Sequence, residues 1–188
     1  MLSKLSSYGI DGKLISWLDA FLHNRLQYVV IENCFSNVSD VVSGVPQGSV
    51  LGPIMFLIFI NDIETVCCGD TDLQLFADDL KLYSSVNISC NSLTLQQSID
   101  NLALWADKWQ LNINISKCAV LTIGAKSGFC GSVYFINDTQ LVSTNSFTDL
   151  GIDTDSALSY HNHIDNIVSK ATQRVGTLFR GFTTRDLT

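Results

Sequence analysis

The chain is poor in proline, poor in basic charge and lacks a long apolar run, and each shortage excludes a class of protein. Only Pro46 and Pro53 interrupt its 188 residues, so a Pro-rich linker is absent. Eleven Lys and Arg face 18 Asp and Glu, a net charge of −7, which argues against a nucleic-acid binder working by its overall field. The longest apolar run, "VLGPIMFLIFI" from Val50 to Ile60, is too short to cross a bilayer as a helix. The N-terminus, "MLSKLSSYGIDGKL", carries no apolar core followed by a small-residue cleavage site. An intracellular chain is expected, cytoplasmic or nuclear, neither secreted nor in a membrane. The six cysteines (Cys34, Cys67, Cys68, Cys90, Cys118 and Cys130) form no CxxC pair and have no His at zinc-ligand spacing, so reduced thiols are expected. The sequons at Asn37, Asn87, Asn114 and Asn137 should stay unmodified without a secretory route.

What is present suits one domain with a real core, at 46% hydrophobic residues. Charge is uneven: residues 61–115 hold eight acidic side chains against Lys81 and Lys108, whereas residues 116–188 balance six basic with six acidic. Leu14, Ile15, Leu18, Phe21 and Leu22 predict a short amphipathic helix over 12–23. "LQYVVIE" (26–32) and "NVSDVV" (37–42) predict two strands of a hairpin flanking an Asn/Cys/Ser segment. After "GVPQG" (44–48), Ser49 can cap a helix of about 51–66 with Pro53 in its early turns. That helix is apolar nearly all round and is expected inside the domain.

"DLQLFA" and "LKLYSSV" read as strands joined at Asp78 and Asp79. Leu95, Ile99, Leu102, Ala106 and Trp109 stripe a helix over 92–109, and "KCAVLTIG" (117–124) returns to strand. "VYFIN" and "TQLVS" flank a hairpin turn at Asn137-Asp138, and "FTDLGID" (147–153) reads as one short strand containing Gly151. Ile164, Ile167, Val168, Ala171, Val175 and Leu178 stripe a C-terminal helix whose other side carries Lys170 and Arg174. The order is mixed α and β, with antiparallel hairpins and no regular βαβ alternation.

Within the acidic centre, Asp78 and Asp79 are two charges that, about 5 Å apart at an effective dielectric near 20, repel by roughly 3 kcal/mol. A divalent cation would reverse that penalty, and hard carboxylate oxygens suit Mg²⁺. Two-metal nucleotidyl transfer needs a third carboxylate from another strand, since adjacent residues on a tight turn cannot surround both ions. The dipeptide also reads as an ordinary polar hairpin tip.

The order "GVPQGSVLGP" (44–53), "FINDI" (59–63), "FADD" (76–79) resembles the reverse transcriptases of non-long-terminal-repeat retrotransposons, the LINE-type and jockey-like elements. The resemblance runs over roughly residues 3–182, including "YGIDGKLISWL", "LALWADKWQLNINISKC", "FTDLGID" and "LSYHNHI". It implies an α+β fold: a polymerase palm-like antiparallel sheet packed by helices, incomplete at the N-terminus, with the start of a helical thumb. Residues 1–155 would be partial fingers and palm, and 156–188 the start of a thumb helix and tail. It also implies RNA-directed DNA polymerisation, with an RNA template, a DNA primer, deoxynucleotides, and Mg²⁺ or Mn²⁺.

Carried over by matching residues, Asp78 and Asp79 would be the catalytic, metal-binding pair, and Pro46, Gln47 and Gly48 the loop touching template and nucleotide. Lys117 would lie near the incoming triphosphate, and Leu150-Gly151 in the hairpin that grips the primer. Lys170 and Arg174 could touch phosphates from the thumb helix. The family's other metal aspartate, in a motif like "FDKAFD" ahead of the "YGI…WL" helix, has no match, so the expectation is an incomplete polymerase that is inactive alone. Two other readings stay open: a non-catalytic palm remnant that binds nucleic acid or protein, and an unrelated Mg²⁺ phosphohydrolase.

Overall fold

The computed structural model describes residues 1–85, 91–124 and 131–182. They belong to two units, Met1–Cys67 with Thr71–Tyr83, and Cys68–Asp70 with Ser84–Thr188. Cys90 and Cys130 lie outside the described residues, while Cys34, Cys67, Cys68 and Cys118 are free thiols.

In the first unit, α1 (Leu2–Ser7), α2 (Gly12–Leu22) and α3 (Leu51–Ile60) meet around Leu5, Leu18 and Met55. The apolar spacing in α2 turns Leu18 inward, and Ile15, Phe21 and Leu22 pack around it. The N-cap of α3 is Val50 and not the expected Ser49, but Ser49 Oγ, one residue ahead, accepts the Gly52 N–H at 3.0 Å and satisfies an orphan donor of the first turn. The helix tightens at Asn61 into a 3-10 segment, Asn61–Val66, where Asn61 and Asp62 bond to Tyr8 and Lys4.

Burial of α3 corrects the expectation of an enclosed helix. Ile54 is 52% exposed and Leu57 58%. The α1 and α2 side chains cover one side of α3, and an all-round apolar sequence does not itself create neighbours for the other.

The predicted hairpin of 26–42 forms in an interrupted way. β1 (Leu26–Gln27) pairs with β4 (Ser39–Asp40), and β2 (Val30–Ile31) pairs with β3 (Cys34–Phe35). Cys34 and Phe35, expected in the connection, are strand, and the turn sits at Glu32-Asn33. Ser36 Oγ accepts the Val29 N–H at 2.9 Å, a side-chain bond in place of a ladder bond. β5 (Thr71–Phe76) and β6 (Asp79–Ser84) then pair as a hairpin.

The second unit is built on α4 (Asn91–Lys108), which buries Ile99, Leu102, Ala103, Trp105 and Ala106. Its buried stripe is wider than the expected one, and Leu95 and Trp109 are only half-buried. Gln96 completes the backbone of β8 (Phe135–Ile136): its amide donates to the Phe135 carbonyl and accepts the Phe135 N–H, both at 2.9 Å. β7 (Ala119–Leu121) follows a 3-10 turn, Ile115–Lys117. β8 and β9 (Thr139–Gln140) flank the expected hairpin turn at Asn137 and Asp138, whose φ values of 45° and 62° make it a primed turn.

β10 (Val142–Thr144) lies parallel to β7, where antiparallel neighbours were expected. The stretch between them is long enough for the crossover that parallel pairing demands. β11 (Ser146–Asp149) and β12 (Ile152–Asp155) form an antiparallel hairpin, and α5 (His161–Gly181) docks on β12. The fold is thus mixed, helices with small and mainly antiparallel sheets, the described strands pairing two by two.

Candidate functional site

The aspartates stand at the tip of the β5–β6 hairpin, with one adjustment to the expected geometry. The turn is Ala77-Asp78, and Asp79 is the first residue of β6. Ala77 takes φ 52°, a left-handed conformation that costs an L-residue with a Cβ about 1–2 kcal/mol. Strain of this kind is retained where the surroundings or the function demand it. Strand alternation puts Asp79 on the face of Lys81 and Tyr83.

Both aspartates are exposed. Water screens their mutual repulsion, which at the dielectric of bulk water would be about 0.8 kcal/mol at roughly 5 Å. Two hard-oxygen donors on an open tip fit a Mg²⁺ or Mn²⁺ ion that keeps most of its waters. Among the described residues no three His, Cys, Asp or Glu side chains come together as a ligand set. Asp78 and Asp79 thus offer two carboxylates, fewer than two-metal chemistry requires.

Pro46, Gln47 and Gly48 occupy the loop ahead of α3 in the same unit. Gln47 and Gly48 are exposed and Pro46 half-buried. Gly48 has φ 78°, a backbone that glycine adopts without strain. A Cβ on Gly52 would meet the Pro46 carbonyl oxygen at 2.8 Å, so the loop folds back closely on the helix start.

Asp62 of "FINDI" is accounted for differently. Its carboxylate accepts from Lys4 Nζ at 2.6 Å, in an ion pair whose lysine is only 5% exposed. The sequence reading missed this contact. An isolated Lys in a short, serine-rich helix gives no hint of a partner 58 residues away.

Lys117, Leu150 and Gly151 belong to the second unit. Lys117 ends the 3-10 turn before β7 and is exposed. It borders an open groove of about 540 Å³ together with Cys118, Val142, Thr144, Ser146 and Phe147. Burial pushes the Cys118 thiol up from its ordinary value. Ser146 and Phe147 start β11, so the groove lies at the base of the hairpin whose tip is Leu150-Gly151.

That tip corrects the reading of "FTDLGID" as a single strand. Leu150 and Gly151 have φ 47° and 82°, both central positions of a primed turn. The hairpin is tied to α5 through Asp153. Its carboxylate accepts from Thr148 Oγ1 at 2.6 Å and Asn166 Nδ2 at 2.8 Å, and its N–H donates to His163 Nδ1 at 3.2 Å. The Thr148 and Asn166 bonds hold the Asp153 carboxyl below its ordinary value, with His163 and Lys170 adding to the effect. Lys170 and Arg174 are exposed on α5, and so are Ile164, Val168, Val175 and Leu178.

Residues 1–162 match the family described as reverse transcriptase (RNA-dependent DNA polymerase). The chain belongs to this family. Among its relatives is the RNA-directed DNA polymerase from mobile element jockey of Drosophila melanogaster, 33% identical over 155 residues, 79% of this chain and 17% of the relative. The jockey polymerase of Drosophila funebris is 32% identical over 165 residues, 84% of this chain and 18% of that protein. A probable RNA-directed DNA polymerase from transposon X-element of Drosophila melanogaster is 28% identical over 162 residues, 84% of this chain and 18% of the relative. The chain thus spans less than a fifth of the length of these curated relatives. Among the described residues no helix is long and apolar enough to cross a membrane.

Proposed function

We propose that this chain is the part of an RNA-directed DNA polymerase that carries the paired metal aspartates, the nucleotide loop and the primer hairpin. The observation that carries the reading is the exposed Asp78-Asp79 pair at the tip of a two-stranded hairpin, in a chain of the reverse transcriptase family. In the assembled polymerase, β5 and β6 are palm strands, residues 1–155 are fingers and palm, and residues 156–188 begin the thumb.

Asp78 and Asp79 hold Mg²⁺ or Mn²⁺ by their carboxylate oxygens. When bound, such ions supply charge stabilisation for attack of a primer 3′-hydroxyl on a deoxynucleotide α-phosphate. Gln47 presents an amide donor and acceptor to a base or sugar, and Gly48 lets the backbone approach it. Lys117 places a cation beside the departing pyrophosphate. Leu150 and Gly151 bring main chain against the primer, and Lys170 and Arg174 reach phosphates. The RNA template and DNA primer are macromolecular partners of the whole polymerase.

By themselves these 188 residues do not extend a primer, because two adjacent carboxylates supply too few ligands for two ions. The experiment is primer extension on an RNA template with Mg²⁺ or Mn²⁺, by the chain alone and fused to a strand bearing the family's other metal aspartate. The expected result is synthesis by the fusion that Asp78→Ala abolishes. Synthesis that survives Asp78→Ala refutes the role of the pair, and salt-sensitive RNA binding by a fusion that adds no nucleotide points to a non-catalytic remnant.

A further inference from the structure

The loop carrying Gln47 is held by a residue that neither the motifs nor the family resemblance singles out. Arg25 follows the end of α2 and is half-buried. Its Nε donates to the Leu22 carbonyl at 3.1 Å, satisfying one of the orphan carbonyls of the last turn of α2. Its Nη2 donates to the Gly44 carbonyl at 2.8 Å, 19 residues along the chain. The Arg25 carbonyl also accepts the Val41 N–H at 2.9 Å, beside the β1–β4 ladder. One residue therefore fixes both ends of Val41–Gly44, the segment that leads into the loop.

The far side of the loop is fixed as closely. Ser49 Oγ donates to the Pro46 carbonyl at 2.7 Å while accepting the Gly52 N–H. Val45 and Leu51 pack against the Leu5, Leu18 and Met55 core. Between these anchors Gln47 and Gly48 project exposed. A loop tip whose own polar groups are loose must be ordered at each binding event, and a frame of this kind removes that cost beforehand. Guanidinium is suited to the task because its planar fork reaches two carbonyls in fixed directions, which the single ammonium of lysine does not.

We propose that Arg25 is a positioning residue that presets the Pro46-Gln47-Gly48 loop for nucleic acid or nucleotide, with Ser49 as its counterpart on the α3 side. The proposal rests on the reading of Gln47 as a template- or nucleotide-contacting residue, and its two halves are tested separately. In the full 188-residue chain, hydrogen exchange over 44–52 measures the latch. A template RNA carrying 4-thiouridine, crosslinked to the chain and mapped by mass spectrometry, measures its consequence at Gln47.

Arg25→Lys and Ser49→Ala should each speed exchange in 44–52 by about tenfold, the loss of one well-placed hydrogen bond. Both should lower crosslinking at Gln47 several-fold while leaving the melting temperature within a few degrees. Lys13→Ala, a charge loss at an exposed helix position, should change neither. Unchanged exchange in both loop variants overturns the latch. Faster exchange with undiminished crosslinking overturns the positioning role, and absence of crosslinking in the unaltered chain overturns the reading of Gln47 as a template-contacting residue while exchange still judges the latch.

Discussion

The Lys4–Asp62 ion pair has two unequal ends, and the inequality gives a sharp prediction. Lys4 is 5% exposed and Asp62 38%, with 2.6 Å between Nζ and Oδ1. Lys4 Nζ also donates to the Phe59 carbonyl and lies 4.7 Å from the Phe59 ring centroid. In Asp62→Ala the buried ammonium loses the carboxylate that lies 2.6 Å from it. Breaking a buried pair this way costs roughly 3–5 kcal/mol, and water entering on the exposed Asp62 side lowers the figure to about 2 kcal/mol.

In Lys4→Met the apolar stem keeps its packing, and the Asp62 carboxylate, 38% exposed, is open to water. The expected cost is below about 1 kcal/mol. In a chain of this size 1 kcal/mol moves the melting temperature by about 2–4 °C. Thermal unfolding followed by circular dichroism should therefore show Asp62→Ala falling by about 4–8 °C and Lys4→Met by less than about 4 °C. A Lys4→Met loss as large as that of Asp62→Ala refutes the reasoning, because the cost would then lie in the attraction lost and not in the desolvation of the ammonium.

Other outcomes follow from the turns and from one carboxylate. Ala77→Gly relieves a φ of 52° and should stabilise the β5–β6 hairpin by about 1 kcal/mol in urea unfolding; a destabilised variant refutes the strain. Gly151→Val, at φ 82° with open space around it, should destabilise the β11–β12 hairpin through backbone strain alone, by about 1 kcal/mol or more, and unchanged amide exchange across Ser146–Asp155 would contradict this. The Asp153 carboxyl is held low by Thr148 and Asn166. Its stabilising contribution is present above the ordinary carboxylate pKa and lost as pH falls through the lowered folded value, so Asp153→Asn should flatten the acid loss of stability below about pH 4.

Much of the helical framework was legible because a 3.6-residue apolar period survives in any context, as in α2 and α4. The Asn137-Asp138 turn was legible because both residues tolerate positive φ. The turn at Leu150-Gly151 was not, since Leu150 is apolar and reads as strand until the pairing of Asp149 with Ile152 is seen. At the aspartate hairpin the turn was placed one residue late, because Asp is a stronger turn signal than Ala77 and the left-handed backbone of Ala77 leaves no mark in the letters. Composition identified α3 as apolar, yet burial depends on which elements pack beside it, so Ile54 and Leu57 were misjudged. Lys4 and Arg25 act through partners 58 and 19 residues away, and no local pattern announces either.

The central claim is that Asp78 and Asp79 hold a divalent metal. Titration of the chain with Mn²⁺, followed by paramagnetic broadening of backbone amide resonances, tests it most directly. The account predicts broadening centred on Ala77, Asp78, Asp79 and Leu80 at roughly millimolar metal, the range of open sites with few carboxylates, and its loss in Asp78→Asn with Asp79→Asn. Broadening centred elsewhere, or unchanged in the double variant, would contradict it.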